Sequence, residues 1–98
     1  MPPGPPYYVY ILSNPARTVL YTGMTNGLRR RLREHRTGGG STFVAHYNAT
    51  DLVYFERYDT PQAAVEREKQ LKRWRREKKD ALIRRANPDL AALPPPVE

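Results

Sequence analysis

The chain reads as an α+β domain: a small three-stranded antiparallel sheet flanked by helices, in the order β-β-α-β-α-α. Three observations predict it. Two short runs of β-branched and aromatic residues, Tyr7 to Leu12 and Val19 to Met24, are separated by Ser13, Asn14 and Pro15, which is turn chemistry between hairpin strands. A third such run, Leu52 to Tyr58, is bracketed by segments whose apolar residues recur every three to four positions. Thr60 followed by Pro61 marks a helix start, because the hydroxyl can accept a first-turn N–H and proline lacks the N–H that would be orphaned there.

Each element follows in order. In the first strand Tyr8, Tyr10 and Leu12 share one face and Tyr7, Val9 and Ile11 the other, since side chains alternate. Tyr10 and Tyr21 then lie on adjacent strands facing the same way. Thr25 and Asn26 offer N-cap oxygens to a short helix from Leu28 to Arg36, which Gly38, Gly39 and Gly40 terminate. On that helix Leu28, Arg31, Leu32 and His35 fall at i, i+3, i+4 and i+7, so Arg31 and His35 flank the face that packs on the sheet. Arg29, Arg30, Arg33 and Arg36 point outward. A loop up to Thr50 has room for one helical turn around Phe43 to Tyr47. In the helix from Gln62 to Trp74, the residues Ala64, Val65, Leu71 and Lys72 define an inner side, and Glu68 falls where an apolar residue is expected. Trp74, Leu82 and Ile83 anchor a further helical stretch that ends before Asn87 and Pro88.

The 98 residues suffice for one domain, expected over 7–90. Met1 to Pro6 holds four prolines and a glycine, and residues 91–98 include three consecutive prolines, so both ends are expected to be flexible. The formal charge is +7 and the pI about 10.1, which favours a polyanionic partner, nucleic acid ahead of an anionic membrane surface. The sequence shows no apolar run of about eighteen residues and no basic start followed by a hydrophobic segment, so a cytoplasmic protein without a membrane segment is expected. With no cysteine, disulfides and thiolate zinc sites are excluded, and any metal must rest on oxygen ligands.

Residues with chemical reach concentrate in Tyr10, Tyr21, Arg31, His35 and Glu68. Two tyrosines on neighbouring strands can supply a proton acceptor and a phosphate contact, an arginine positive charge, and a lone carboxylate a divalent ion. Each also has a plain reading. The tyrosines suit a strand, Arg31 and His35 suit a solvated helix face, and Glu68 can neutralise Arg67, Lys72 or Arg31. Between Arg67 and Arg85 stand ten basic and three acidic residues, the main positive surface of the chain. Trp74 fits a core anchor better than a stacking platform, because it repeats at helical spacing with Leu71.

Taken together, Tyr-Val-Tyr-Ile-Leu from Tyr8, Leu-Tyr-Thr-Gly-Met-Thr from Leu20, Leu-Arg-Arg-Arg-Leu-Arg-Glu-His from Leu28, Leu-Val-Tyr-Phe-Glu from Leu52 and Glu-Arg-Glu-Lys-Gln-Leu-Lys-Arg-Trp from Glu66 resemble the GIY-YIG nuclease domain. The likeness is strongest to its small stand-alone bacterial members, described as excinuclease C subunit-like or endonuclease-like. It implies a metal-dependent endonuclease hydrolysing DNA phosphodiester bonds with Mg²⁺ or Mn²⁺, structure-selective and linked to DNA repair or recombination, RNA not being excluded. The alternative is a catalytically weak nucleic-acid-binding module or accessory subunit of a repair complex, and a protein partner for targeting is compatible with either. Carried over by position, Tyr10 is the tyrosine of the first motif and the favoured base. Tyr21, from the second motif, orients water or phosphate, although either tyrosine can help deprotonate the attacking water; Arg31 stabilises phosphoryl charge, His35 assists water positioning or proton transfer, and Glu68 is the sole protein ligand of the metal. Gly23, Arg30, Lys72, Arg75, Arg76, Lys78 and Lys79 are the expected nucleic-acid contacts. The motifs depart from the family as Tyr-Val-Tyr and Tyr-Thr-Gly, changes that spare both tyrosines and the glycine. Asn87 is the only candidate for the asparagine that many members carry after the glutamate.

Overall fold

The computed structural model describes residue 4 and residues 6–38 and 42–97. Gly39 and Gly40, and most of the N-terminal segment expected to be flexible, lie outside the described residues. Three strands, β1 (Tyr7–Ser13), β2 (Leu20–Thr25) and β3 (Asp51–Tyr58), form an antiparallel sheet in the order β2-β1-β3. The helices are α1 (Leu28–Arg36), α2 (Thr42–Tyr47), α3 (Pro61–Arg73) and α4 (Arg76–Ala86). Element order and sheet type are those the sequence predicts, with the helical turn allowed around Phe43 to Tyr47 present as α2.

The central strand β1 is apolar on both faces, and the alternation of its side chains divides the core in two. Tyr8, Tyr10 and Leu12 pack with Leu28 and Leu32 of α1 and Val44 of α2. On the opposite face Val9 packs with Ala64 and Leu71 of α3, and Ile11 with Ile83 of α4. A bulge interrupts the β1–β3 pairing: Ile11 faces Tyr54 while Leu12 faces Leu52, leaving Val53 as the extra residue. Val53 and Tyr54 consequently turn to the same face, that of Ile83, while Leu52 and Phe55 serve the other.

Helix starts follow local chemistry. Thr60 Oγ1 accepts the N–H of Ala63 at 3.2 Å, and Pro61 opens α3 as its composition implies. At α1 the N-cap is Gly27, one residue later than the sequence suggests, because Thr25 Oγ1 accepts the Gly27 N–H at 3.1 Å and closes a short turn ahead of the helix. Gly38 follows α1 at φ +83°, the left-handed conformation that glycine adopts without a Cβ penalty. Trp74, in extended backbone, separates α3 from α4. Its ring packs with Leu71 and Leu82, the core anchor expected, while Arg67 and Lys78 cover it at 5.1 Å and 4.2 Å from the ring centre.

Two expectations need correction. Lys72, assigned to the inner side of α3, is exposed, and the sheet-facing residues are Ala64 and Leu71. The ordered contacts also extend beyond Leu90. Asn87, buried, donates to the carbonyls of Val53 and Ala91 and accepts the Ala91 N–H, and Leu93 donates its N–H to Leu52 O at 2.7 Å along the outer edge of β3. With its amide saturated by backbone groups, Asn87 works as a clamp on the chain leaving α4.

Candidate active site

The site grows from one pairing in the hairpin. Tyr10 of β1 stands opposite Gly23 of β2, and the Tyr10 phenol lies across the glycine. A Cβ on Gly23 would sit 2.5 Å from the Tyr10 hydroxyl oxygen and 2.6 Å from Cζ, distances no real contact tolerates. Glycine is required here for space. Above this pair lies α1, which buries His35 and half-buries Arg31, and the Tyr10 hydroxyl meets His35 Nε2 at 3.3 Å. Tyr21, one pleat from Gly23 on the same face, sets its ring 6.4 Å from that of Tyr10 and 5.8 Å from the imidazole, centre to centre.

Burial separates the two tyrosines. Tyr10 has no exposed surface, and burial pushes its hydroxyl far above the ordinary tyrosine range, helped by the neighbouring Tyr21 and Glu68 and opposed by the Arg31 charge. The phenol is held in its protonated form and shielded from solvent. Tyr21 is the partly exposed member of the pair. His35 is depressed below the ordinary histidine value, first by burial and then by the Arg31 charge, so it is neutral near pH 7. Its Nδ1 is buried without a hydrogen-bond partner. Arg31 Nε lies 3.2 Å from Glu34 Oε1 as an ion pair but makes no aligned hydrogen bond.

Glu68 reaches the group from α3, whose contacts run to both β1 and β2. Its charge acts on the Tyr10 hydroxyl, its side chain is 22% exposed, and its ion pair with the exposed Lys72 is long at 3.6 Å. Arg67 is not its partner: that guanidinium binds Glu56 through Nε and Nη2 at 2.9 and 3.0 Å. The structure therefore brings Tyr10, Tyr21, Arg31 and His35 together directly, with Glu68 within electrostatic reach.

The expected nucleic-acid contacts divide. Arg75 and Lys78 are exposed. Arg30 donates to Asn26 Oδ1 at 3.3 Å and Lys72 is drawn toward Glu68. Arg76, also exposed, is engaged within the chain, donating to the carbonyls of Arg17 at 2.7 Å and Thr18 at 3.0 Å and pairing with Asp80. Lys79 is half-buried, and burial, with the charges of Arg76 and Lys72, lowers its pKa. The sequence reading did not single out Phe43 and Tyr47 of α2, which continue the aromatic group outward from Tyr21; their one signal was a pair of rings four residues apart in an otherwise irregular stretch.

The family this chain matches is that of a nuclease-type catalytic domain. The chain belongs to the GIY-YIG family, since the model of the GIY-YIG catalytic domain matches residues 6–80. It is similar to the UPF0213 protein of Natronomonas pharaonis, 40% identical over 77 residues covering 79% of this chain and 89% of that protein. A UPF0213 protein of Bacillus pumilus is 36% identical over 77 residues, covering 79% and 78% respectively. Among solved structures, the solution NMR structure of the UPF0213 protein of Bacillus halodurans has a TM-score of 0.52 and 29% identity, covering 81% of this chain and 83% of that one. Among the described residues no helix is long and apolar enough to cross a membrane.

Proposed function

We propose that this chain is a divalent-metal-dependent endonuclease hydrolysing DNA phosphodiester bonds. The observation that carries the reading is the convergence of the Tyr10–Gly23 pair, Tyr21, His35 and Arg31 on one face of the sheet, with the Glu68 charge acting on the same phenol. Among the described residues no group of three or more His, Asp or Glu could enclose an ion. A single half-buried carboxylate with only a long ion pair suits Mg²⁺ or Mn²⁺, which keeps most of its waters and takes its remaining ligands from phosphate. When bound there, the ion would neutralise charge developing on the phosphoryl oxygens.

The chain's own residues divide the remaining work. Tyr21, partly exposed, is placed to meet the attacking water, while Tyr10 lies beneath it and keeps its proton. Neutral His35 holds the Tyr10 hydroxyl and provides a basic nitrogen inside the group. Arg31, whose Nε is not satisfied by Glu34, stabilises the negative charge that accumulates on phosphorus-bound oxygen in the transition state.

The test is cleavage of end-labelled single-stranded, nicked, flap and branched DNA with Mg²⁺ or Mn²⁺, beside EDTA and Glu68→Ala controls. Metal-dependent cutting that disappears in the variant, with DNA binding retained, is the expected result. A variant that cuts as well as the parent removes Glu68 from the metal. Salt-sensitive binding without cutting by the parent chain would leave a nucleic-acid-binding module on a nuclease fold.

A further inference from the structure

Among the described residues the exposed large hydrophobic side chains are Phe43 at 38%, Tyr47 at 46% and Val97 near the chain end. The first two stand four residues apart on α2 and so on the same side of the helix. Their rings are in sequence with the site: Tyr21 to Phe43 is 5.8 Å with a 30° tilt, and Phe43 to Tyr47 is 4.7 Å with a 46° tilt. His46 extends the group, edge to face with Tyr47 at 4.7 Å. The path therefore starts at the tyrosine assigned to the attacking water and runs outward over an exposed helix. α1, which packs against α2, carries Arg29, Arg30, Arg33 and Arg36 on its exposed surface. Val44 of α2 is fully buried with Leu28, Leu32 and Leu52.

We propose that Phe43 and Tyr47 form a stacking platform for unpaired bases beside the scissile phosphate, and that the substrate is single-stranded nucleic acid or a single-stranded segment next to a junction. This rests on the nuclease reading of the same site. In a continuous duplex the base faces are occupied by neighbouring pairs, whereas an unpaired base offers a free π-face to an aromatic ring while arginines hold the backbone. Three clefts among the described residues lie elsewhere, one at Trp74, Lys78 and Leu82, one at Pro61, Val65 and Lys69, and one at Tyr54, Leu93 and Pro94. An open aromatic track suits a polymer laid over the surface.

The experiment is fluorescence anisotropy in EDTA, with labelled dT12, U12 and a 12-base-pair DNA duplex titrated against the parent chain, Phe43→Ala, Tyr47→Ala and Phe43→Trp. Each alanine variant is expected to bind dT12 roughly tenfold more weakly, and the duplex within about twofold of the parent, since phosphate contacts dominate there. Phe43→Trp should retain single-strand affinity, and the U12 series shows whether the platform accepts ribose equally. Unchanged dT12 binding in both alanine variants, including the case where Tyr47→Ala instead dissolves a dimer, overturns the proposal, as does an equal loss on strand and duplex. Because no metal is present, these outcomes are independent of cleavage: lost stacking in a chain that never cuts would end the nuclease reading and leave the platform, and cutting without a stacking effect would do the reverse.

Discussion

Tyr10 and Gly23 are cross-strand partners in which the phenol of one occupies the volume that any side chain on the other would need. The glycine of the second motif is thus tied to the tyrosine of the first by packing. Gly23→Ala must displace the buried ring and with it the 3.3 Å contact to His35. Overpacking of this kind costs about 1–3 kcal/mol, readable as a lower urea midpoint at unchanged slope. In a Tyr10→Ala background the same substitution should cost much less. Additive losses in that cycle would mean that the ring and the glycine do not compete for space.

The buried imidazole gives stability a pH dependence with a definite sign. His35 binds its proton less readily in the folded chain than the ordinary value of 6.5 implies, because burial and the Arg31 charge disfavour the cation. Its contribution is complete above about pH 6.5, where folded and unfolded chains both carry neutral histidine. As pH falls from there the unfolded chain takes up the proton first, and stability declines until the folded chain protonates as well. Tm measured between pH 8 and pH 5 should fall on the acid side in the parent chain and fall less in His35→Gln. Equal acid-side losses in both proteins would place the responsible group elsewhere.

How much of this was legible in the sequence differs from element to element. The two faces of β1 could be read from the alternation of Tyr8, Tyr10 and Leu12 with Val9 and Ile11, because a period of two admits one assignment. The bulge at Val53 could not, since Val53 and Tyr54 are both apolar and either would satisfy an alternating strand. His35 and Arg31 were legible from helical spacing, but the accessibility that separates Tyr10 from Tyr21 depends on where α1 settles over the sheet. Arg76 looked like its basic neighbours. Only the path of the β1–β2 turn, with Arg17 at φ 59° and its carbonyl toward α4, turns it into a structural tie.

On the opposite face of the sheet, Glu56 is the acceptor of a half-buried network. Arg67 grips both of its oxygens, and the hydroxyls of Tyr54 and Tyr58 donate to it as well. Burial works to raise the Glu56 pKa, but these hydrogen bonds outweigh it and hold the carboxylate below its ordinary range. Burial and the same carboxylate push the Tyr58 hydroxyl up to about 12. Arg67→Ala should cost about 1.5–3 kcal/mol, the usual range for hydrogen bonds to a charged group. Arg67→Lys should recover only part of it, because an ammonium cannot grip both oxygens at once. The stability that Glu56 contributes is present above its ordinary pKa of 4.5 and lost as pH falls through its folded value. Acid unfolding of Arg67→Ala should therefore begin at higher pH than that of the parent, and coincident acid transitions would contradict the assignment.

The basic helices provide the last test, since neighbouring arginines there are given opposite duties. Arg75 is exposed, whereas Arg76 spends its donors on two backbone carbonyls and Asp80. Each phosphate neutralised releases condensed counterions, so removing one contact should reduce the slope of log K against log salt by about 0.7–0.9. Arg75→Ala is expected to show this reduction with little change in Tm, and Lys78→Ala to show it together with a lower Tm, since Lys78 also covers the Trp74 ring. Arg76→Ala should leave the slope as it was and lower stability by about 1 kcal/mol, the net value of a hydrogen bond or two. A flattened slope in Arg76→Ala at unchanged Tm would mean that the guanidinium leaves the β1–β2 turn to meet phosphate. The positive face of α4 would then reach as far as that hairpin.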